Sequence, residues 1–487
     1  MKFSVGTNWD FSLIDSLAKI PEVREVYGSS NATPVGTGRP SFILGKISKD
    51  DMALYIKRLH ERGIKFNYTL NAPCLNNLEF TKDAHIELID QLEWLVSIGI
   101  DGVTVSIPYL LEIIKKRFPQ LHAKVSIIAH VNSVQRARYF ENLGADELMI
   151  DFLMNRDFKQ LEKIQNSVKC QLAILLNDAC ISGCPYRYYH YNVSGHASQT
   201  NHPTKGFFVD YCAIRCTIER LKNPRLALSA RWVRPEDIKF YEEIGFDTFK
   251  ISGRRMSAKW IERAVKAYAS RRLDGNLSDI LDYSILGVDE EMNSPDFETM
   301  EGAAELNINS LFELANFQPQ KPYIDNKSLN GFLEFYKKKE CTGICDQCNH
   351  CEKYAKVAVK VNEVETKKQL DMYNKLLDEL TSSKAFLGAG EVPEIDKSEL
   401  PGMLWPPKVK QDFKTILSFA PEAIRPVAEQ MITKIICENT KKRGANEISE
   451  EDMVAAFLKD TPILFRKQML KSLKETGISL DKYGLKL

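Results

Sequence analysis

The sequence predicts an α/β fold: a (β/α)8 TIM-like barrel, then a cysteine-rich segment, then a small all-helical C-terminal domain. Three observations predict it. From residue 1 to about 255, short β-type runs alternate with amphipathic helical patterns. Gly63, Gly99, Gly144 and Gly245 each follow a helical pattern and precede a strand, where a left-handed C-cap is needed. Eight strand candidates in strict alternation imply parallel pairing, and closing eight parallel strands gives a barrel. A doubly wound open sheet is the alternative, because strand count by itself does not show closure.

The strand candidates are Lys2–Gly6, Glu25–Gly28, Lys65–Leu70, Gly102–Ile107, Lys124–His130, Glu147–Asp151, Cys170–Asn177 and Asp247–Ser252. Helical patterns between them include Asp51–Arg62, Ile86–Ile98, Tyr109–Phe118, Val134–Leu143 and Pro235–Ile244. Most strands start about 20 to 40 residues apart, as βα units require. The gap between Asn177 and Asp247 is far longer, and four cysteines lie inside it. Asn177 ends the seventh strand, so chain order places these cysteines at the C-terminal face, where such barrels carry their active sites.

Four segments are expected. Residues 1–270 form the barrel with its cysteine-bearing insertion. Residues 271–360 are helical and loop-like, pass through the acidic stretch Asp289–Glu301, and end in a second cysteine motif. Residues 361–407 hold a helix over Glu365–Ser382 and a linker, Gly388–Pro407, rich in Gly and Pro. Residues 408–487 form the helical domain.

The 487-residue chain is 44% hydrophobic and 27% charged, enough to build its cores without covalent staples. Its net charge of +1 supplies no global field toward nucleic acid or an acidic membrane, which tilts the reading toward a small-molecule substrate over RNA. No apolar run approaches the roughly 20 residues that cross a bilayer. Asp10 and Asp15 interrupt the N-terminus where a signal peptide needs an apolar core, so a cytoplasmic protein is expected. In that setting eleven cysteines point to metal rather than to disulfides.

Cys180, Cys184, Cys212 and Cys216 form two C-x-x-x-C pairs joined by a long loop. Four thiolates complete either a zinc site or an iron–sulfur site. The wide pairs and their apolar neighbours (Pro185, Tyr186, Tyr211, Ile214) favour iron–sulfur, while buried unliganded cysteines are the bland alternative.

The run CISGCPYRYYHYN contains a cysteine, then C-P-Y-R, an aromatic residue and H-x-N; the later KISGRR supplies Lys250, Gly253 and Arg254. With RWVRPEDIKFYEEIGFDTFKISGR between them, these runs resemble the hallmarks of the U-32 "collagenase-like" peptidase family over roughly residues 1–270. The resemblance implies a four-iron four-sulfur cluster on four cysteines. It also implies kinship with oxygen-independent hydroxylases of ubiquinone precursors or RNA bases that draw oxygen from prephenate. Both pairs here are C-x-x-x-C, a departure from the family's usual spacing, and Cys74 in LNAPCLNN faces the same rim as a substitute ligand.

On the barrel reading, Asn8, Asn67, Asn71, Ser106, His130, Asn132, Asp151, Asn177, Lys250 and Arg254 lie at or near strand ends. Asn71, Arg187, Asn192 and Arg254 are the candidate substrate-binding residues, suited to a carboxylate or phosphate. His190, Tyr186 and Lys250 are the candidate catalytic residues, His190 because imidazole titrates near neutrality. Protease chemistry has raw material in Ser182, His190 and Asp178, but no nucleophile-elbow or H-E-x-x-H motif is present.

The second cysteine motif, CTGICDQCNHCEKY, places Cys341, Cys345, Cys348 and Cys351 within eleven residues. Such crowding implies a shared metal, either a second iron–sulfur cluster relaying electrons to the barrel site or a structural zinc with His350 in reserve. In the tail, a helix from Pro421, a Gly-Ala-Asn break at 444–446 and a helix started by Ser449 resemble the small C-terminal domain of the light-independent protochlorophyllide reductase B subunit. The nitrogenase-like domains of that enzyme are absent, so the tail reads as a docking module for a protein partner or the barrel. Three functions remain in view: an iron–sulfur hydroxylase or related oxidoreductase, a peptidase, and a non-catalytic electron carrier or scaffold.

Overall fold

A computed structural model describes residues 1–200, 202–283, 291–292, 318–338, 341–387, 403–420, 425–461 and 466–483. Eight parallel strands close into a barrel in chain order: β1 Lys2–Gly6, β2 Val23–Gly28, β3 Lys65–Leu70, β4 Gly102–Val105, β5 His122–Val125, β6 Glu147–Met149, β7 Gln171–Leu175 and β8 Thr248–Ile251. Closure comes from β8 pairing with β1, with Ser4 beside Lys250. This settles the barrel against the open sheet.

Six helices follow the first strands: α1 Ser12–Ala18, α2 Lys49–Glu61, α3 Lys82–Ser97, α4 Pro108–Arg117, α5 Val134–Asn142 and α6 Phe158–Gln165. The long β7–β8 connection holds α7 Arg187–His196, α8 Tyr211–Lys222, α9 Arg225–Ser229 and α10 Ile238–Glu242, and α11 Ala258–Ser270 follows β8. Gly63, Gly99, Gly144 and Gly245 all adopt the positive φ expected of them. Several strands are shorter than their sequence runs. The expected Lys124–His130 strand stops at Val125, because Ser126 caps a short 3-10 turn by accepting from the Ile128 amide.

Period-2 alternation sends Phe3, Val26, Phe66, Val103, Leu148, Ile174 and Phe249 outward into the apolar layer under the helices. The inward residues are unusual for such a barrel, where branched aliphatics normally fill the centre. Here Lys124 of β5 pairs with Glu25 of β2 and Glu147 of β6, both at 2.8 Å, and Ser4 donates to Glu25 at 2.6 Å. One cation thus holds a buried carboxylate, Glu147, and a half-buried one, Glu25, across the barrel.

By chain contacts the molecule divides into two units. The first joins residues 1–286, 290–296 and 320–370, so the second cysteine motif packs with the barrel. The second includes residues 371–487. Its helices Pro407–Ser418, Arg425–Lys442, Glu450–Asp460 and Arg466–Glu475 enclose Phe413, Ile436, Met453, Phe457 and Leu473. Ser449 and Asp452 form a reciprocal capping box on the third of these, and Arg443 pairs with Asp452 at 2.6 Å. Most of the acidic stretch Asp289–Glu301, most of the linker Gly388–Pro407, and residues 421–424 fall outside the described residues. Among the described residues, no helix is long and apolar enough to cross a membrane.

Replacing Lys124 by Met removes the ammonium that Glu25 and Glu147 share and leaves Glu147 only His122, at 3.5 Å, among the described residues, a loss expected to cost about 3 kcal/mol. Burial alone would raise the Glu147 carboxyl, but Lys124 and His122 outweigh it and hold it below the usual range. Its stabilising contribution is therefore present above about pH 4.3 and is lost as pH falls through the lower folded value. The K124M deficit should be largest at neutral pH and shrink in acid as the freed carboxylates protonate. Urea midpoints at pH 7 and pH 4.5 check this; equal deficits at both would contradict it.

Candidate functional site

The site begins where the chain leaves β7. Asn177 is locked there: its amide donates to the Ser252 and Ile280 carbonyls and accepts from the Ser252 amide at 2.8 Å. Asp178 then accepts from the Cys180 amide at 2.8 Å, which turns the loop carrying Cys180 and Cys184. Opposite stands α8, whose N-cap Asp210 accepts from the Ala213 amide at 2.8 Å. On this helix Cys212 and Cys216 are four residues apart, so both buried thiols share one face.

The two pairs meet. The Cys180 and Cys184 thiols are hydrogen-bonded to each other, which raises Cys180 and lowers Cys184 to about 6. Cys216 is within electrostatic reach of Cys180, and Cys184 within reach of Cys212 and Cys216. Arg220, one turn after Cys216, donates from Nη2 to the Ala179 carbonyl at 2.7 Å. Its Nη1 is buried and has no hydrogen-bond partner among the described residues, and its cation faces Cys216 and Cys180. Four neighbouring thiols with a buried guanidinium beside three of them suit an anionic metal–sulfur group, whose sulfur atoms would accept from Nη1. Cys74 stands elsewhere, its thiol facing Asn76. Among the described residues, no group of three or more His, Cys, Asp or Glu is arranged as a single metal ion requires.

Beside the thiols, His190 pairs through Nε2 with Asp210 at 2.9 Å, both partly buried. Tyr186 packs edge-on against Tyr211 with ring centroids 5.8 Å apart. Asn192 is partly buried on α7. Lys250 is at another level, inside the barrel, with Nζ 3.8 Å from the Tyr27 ring centroid. Its electrostatic neighbours are Arg254, Lys124, Glu25 and Glu147, and neither His190 nor Tyr186 is among them. The three candidate catalytic residues therefore form two groups.

Above Lys250 lies a cationic rim. Arg254 is buried and donates to Ser29 at 3.0 Å and Thr37 at 3.1 Å, with no carboxylate in ion-pair contact among the described residues. Asp282 accepts from Ser252 at 2.8 Å and pairs with Arg255 at 3.2 Å and Arg39 at 3.4 Å. Burial alone would raise Asp282, but Arg255 and Arg39 overcome it and hold the carboxyl at about 2. Arg187 is buried against Asp151 at 2.9 Å and stacks on Phe152 at 4.3 Å, with His130 on the other side of Asp151. Its Nε and Nη2 have no hydrogen-bond partner among the described residues. Asn71 is more committed: its Oδ1 accepts from Thr37 and the Gly38 amide at 2.9 Å, and its Nδ2 donates to Ser126 at 2.8 Å. One of its four hydrogen-bonding positions remains for a ligand.

Sequence reasoning missed Arg39, Asp282, Tyr27 and Arg220. Arg220 had a signal, since Cys212, Cys216 and Arg220 recur at a four-residue interval on one helix. The polar barrel interior had one too, in Ser4, Glu25, Lys124, Glu147 and Lys250 on strands that otherwise read as apolar. Arg39 and Asp282 had none, being in loops more than 240 residues apart.

Lys250 is partly buried, and burial, then Arg254 and Lys124, push its ammonium down to about 7. Between that value and about 10.4 the unfolded chain binds a proton that the folded protein does not. The penalty is absent above this window, grows as pH falls through it, and is constant below. Lys250→Met should therefore raise the thermal midpoint at pH 7 and lose that advantage near pH 10. A lowered midpoint at pH 7 would make Lys250 a structural anchor instead.

Known proteins resemble this chain over much of its length. The model of peptidase family U32 matches residues 42–279. A protein of Methanocaldococcus jannaschii, named an uncharacterized protease, is 32% identical over 331 residues, covering 67% of this chain and 86% of its own. Among solved structures, a U32 peptidase is 21% identical with a TM-score of 0.39 over 52% of this chain and 94% of its own. A maltogenic α-amylase from Thermotoga neapolitana is 13% identical with a TM-score of 0.26, covering 36% and 58%. The barrel, the cysteine-bearing loop after its seventh strand and the extent of the match to the archaeal relative lead to one assignment: this chain belongs to peptidase family U32.

Proposed function

We propose that this U32 protein is an oxygen-independent, iron–sulfur-dependent hydroxylase or related oxidoreductase acting on a small organic anion. The observation that carries the reading is the meeting of Cys180, Cys184, Cys212 and Cys216, with the buried Arg220 beside Cys180, Cys184 and Cys216. A cluster held by these thiolates supplies one-electron redox chemistry. Arg220 would offset the negative charge of such a cluster and would offer it the Nη1 N–H.

The substrate is recognised by the chain's own cations. Arg254, Arg39 and the ammonium form of Lys250 suit one or more carboxylates at the barrel mouth. Arg187 offers Nε and Nη2 to a second polar group, while Asp151 fixes its plane. The amine form of Lys250 takes a proton at Nζ from bound substrate, and Tyr27 keeps water from one side of that atom. His190, oriented by Asp210, holds a proton beside the thiol site, and Tyr186 and Tyr211 shield it. A dicarboxylate oxo acid of the prephenate type fits this charge pattern as oxygen donor. The net charge of +1 favours a small molecule over RNA.

Peptide hydrolysis is a second reading with one observation behind it. Cys184 lies within electrostatic reach of His190, which pairs with Asp210 at 2.9 Å, the order of nucleophile, base and orienting acid. The archaeal relative's name points the same way. Against it, Cys184 shares its hydrogen bond with Cys180 in a nest of thiols, which suits ligation better than attack.

Protein purified under strict anoxia should be brown, should carry about four iron and four sulfide at this site, and should lose those four iron atoms and their contribution to the reduced-state EPR signal in C180A/C184A. Colourless, iron-free protein that cleaves peptides and loses that activity in C184S or H190A would reverse the assignment. Lys250→Met should abolish turnover while leaving iron content unchanged.

A further inference from the structure

The second cysteine motif has a physical connection to the first. The turn Cys345–Cys348 is closed by Asn349 at φ 53, and the helix His350–Ala358 then starts, carrying Cys351 as its second residue. Cys341 and Cys345 are exposed, whereas Cys348 and Cys351 are partly buried. Cys345 is within electrostatic reach of Cys341 and Cys351, so these thiols share a neighbourhood. His350 turns to the protein instead: Nε2 meets the Phe332 carbonyl at 3.0 Å, and its ring stacks on Phe335 at 4.1 Å and Phe332 at 5.0 Å.

The inward thiol, Cys351, is 3.1 Å from the Tyr336 hydroxyl. The Arg231 guanidinium is 5.6 Å from the Tyr336 ring centroid, and its Nε donates to the Ser182 hydroxyl at 3.3 Å. Ser182 lies between Cys180 and Cys184 in the loop of the first site. Two side chains, Tyr336 and Arg231, therefore bridge from a thiol of one group to the ligand loop of the other. Arg156 braces the bridge from below, 5.2 Å from the Tyr336 ring centroid and 4.7 Å from that of Trp232.

We propose that Cys341, Cys345, Cys348 and Cys351 hold a second iron–sulfur cluster that passes single electrons to the first site, and that Tyr336 and Arg231 hold the two sites in place beside each other. This rests on the iron–sulfur reading of the first site. The balance is one electron: the outer group is oxidised by one, the inner group is reduced by one, and no proton moves between them. An external one-electron carrier refills the outer group at its exposed edge beside Cys341 and Cys345; dithionite substitutes for it in the test. Tyr336 and Arg231 are positioning residues. Tyr336 keeps its proton, donating to the Cys351 thiolate and thereby favouring the reduced state there.

The experiment compares full-length wild type, C180A/C184A, C345A/C348A and Tyr336→Phe, all prepared anaerobically. Wild type should hold about eight iron atoms and each double variant about four, with spin–spin broadening of the reduced EPR signal only in wild type. Tyr336→Phe keeps the fold and the iron. It should shift one of the two reduction potentials to a more negative value and leave the other in place. Wild type with about four iron atoms and one zinc, the zinc lost in C345A/C348A, overturns the second cluster and leaves the first intact. About four iron atoms, all lost in C180A/C184A and unaffected by C345A/C348A, does the same. Two unmoved potentials in Tyr336→Phe overturn the bridge. Iron absent from wild type, or lost only in C345A/C348A, overturns the proposed function itself.

Discussion

Arg220 joins the two halves of the thiol site. Cys180 and Cys184 sit on a loop after β7, Cys212 and Cys216 on a helix nearly thirty residues later, and nothing local requires these segments to meet. The guanidinium does so by reaching from α8 to the Ala179 carbonyl, the residue just before Cys180. Its charge also answers a problem of solvation. Burial pushes the Cys212 and Cys216 thiols up, and Arg220 opposes that rise at Cys216, so the guanidinium is the group that would make a thiolate form tolerable there.

The same logic repeats down the barrel. Lys124 is held between Glu25 and Glu147, Asp282 between Arg255 and Arg39, and Asp151 between Arg187 and His130. Each of these charges has a partner of opposite sign. Lys250 and Arg254 depart from the pattern, packing on Tyr27 and hydroxyl groups in place of carboxylates. A barrel that filled its centre with aliphatic side chains would be easier to stabilise. Among the described residues Lys250 and Arg254 make no ion pair with a carboxylate, a cost to stability that binding of the proposed anion would offset.

Family name and site chemistry pull apart here. A Cys–His–Asp order is present in Cys184, His190 and Asp210, yet the geometry that would activate one thiol also surrounds it with three more. A nucleophile works best with one base and open space before it. Four thiols facing one another and a shared cation restrict approach, which favours ligation over acylation.

The alternation of strand and helix was legible in the sequence because period-2 and period-3.6 patterning and glycine C-caps are local properties. The two cysteine groups were legible for the same reason: the spacing of cysteines is written along the chain. Helical phase even placed Cys212, Cys216 and Arg220 on one face, a signal open to anyone reading α8 as a helix. What the tertiary structure decided was which distant residues face one another. Closure of β8 onto β1, the Arg39–Asp282 pair, and the bridge from Ser182 through Arg231 and Tyr336 to Cys351 join segments tens to hundreds of residues apart. Such contacts depend on register and barrel closure, and no short window of sequence contains the free energy that fixes either.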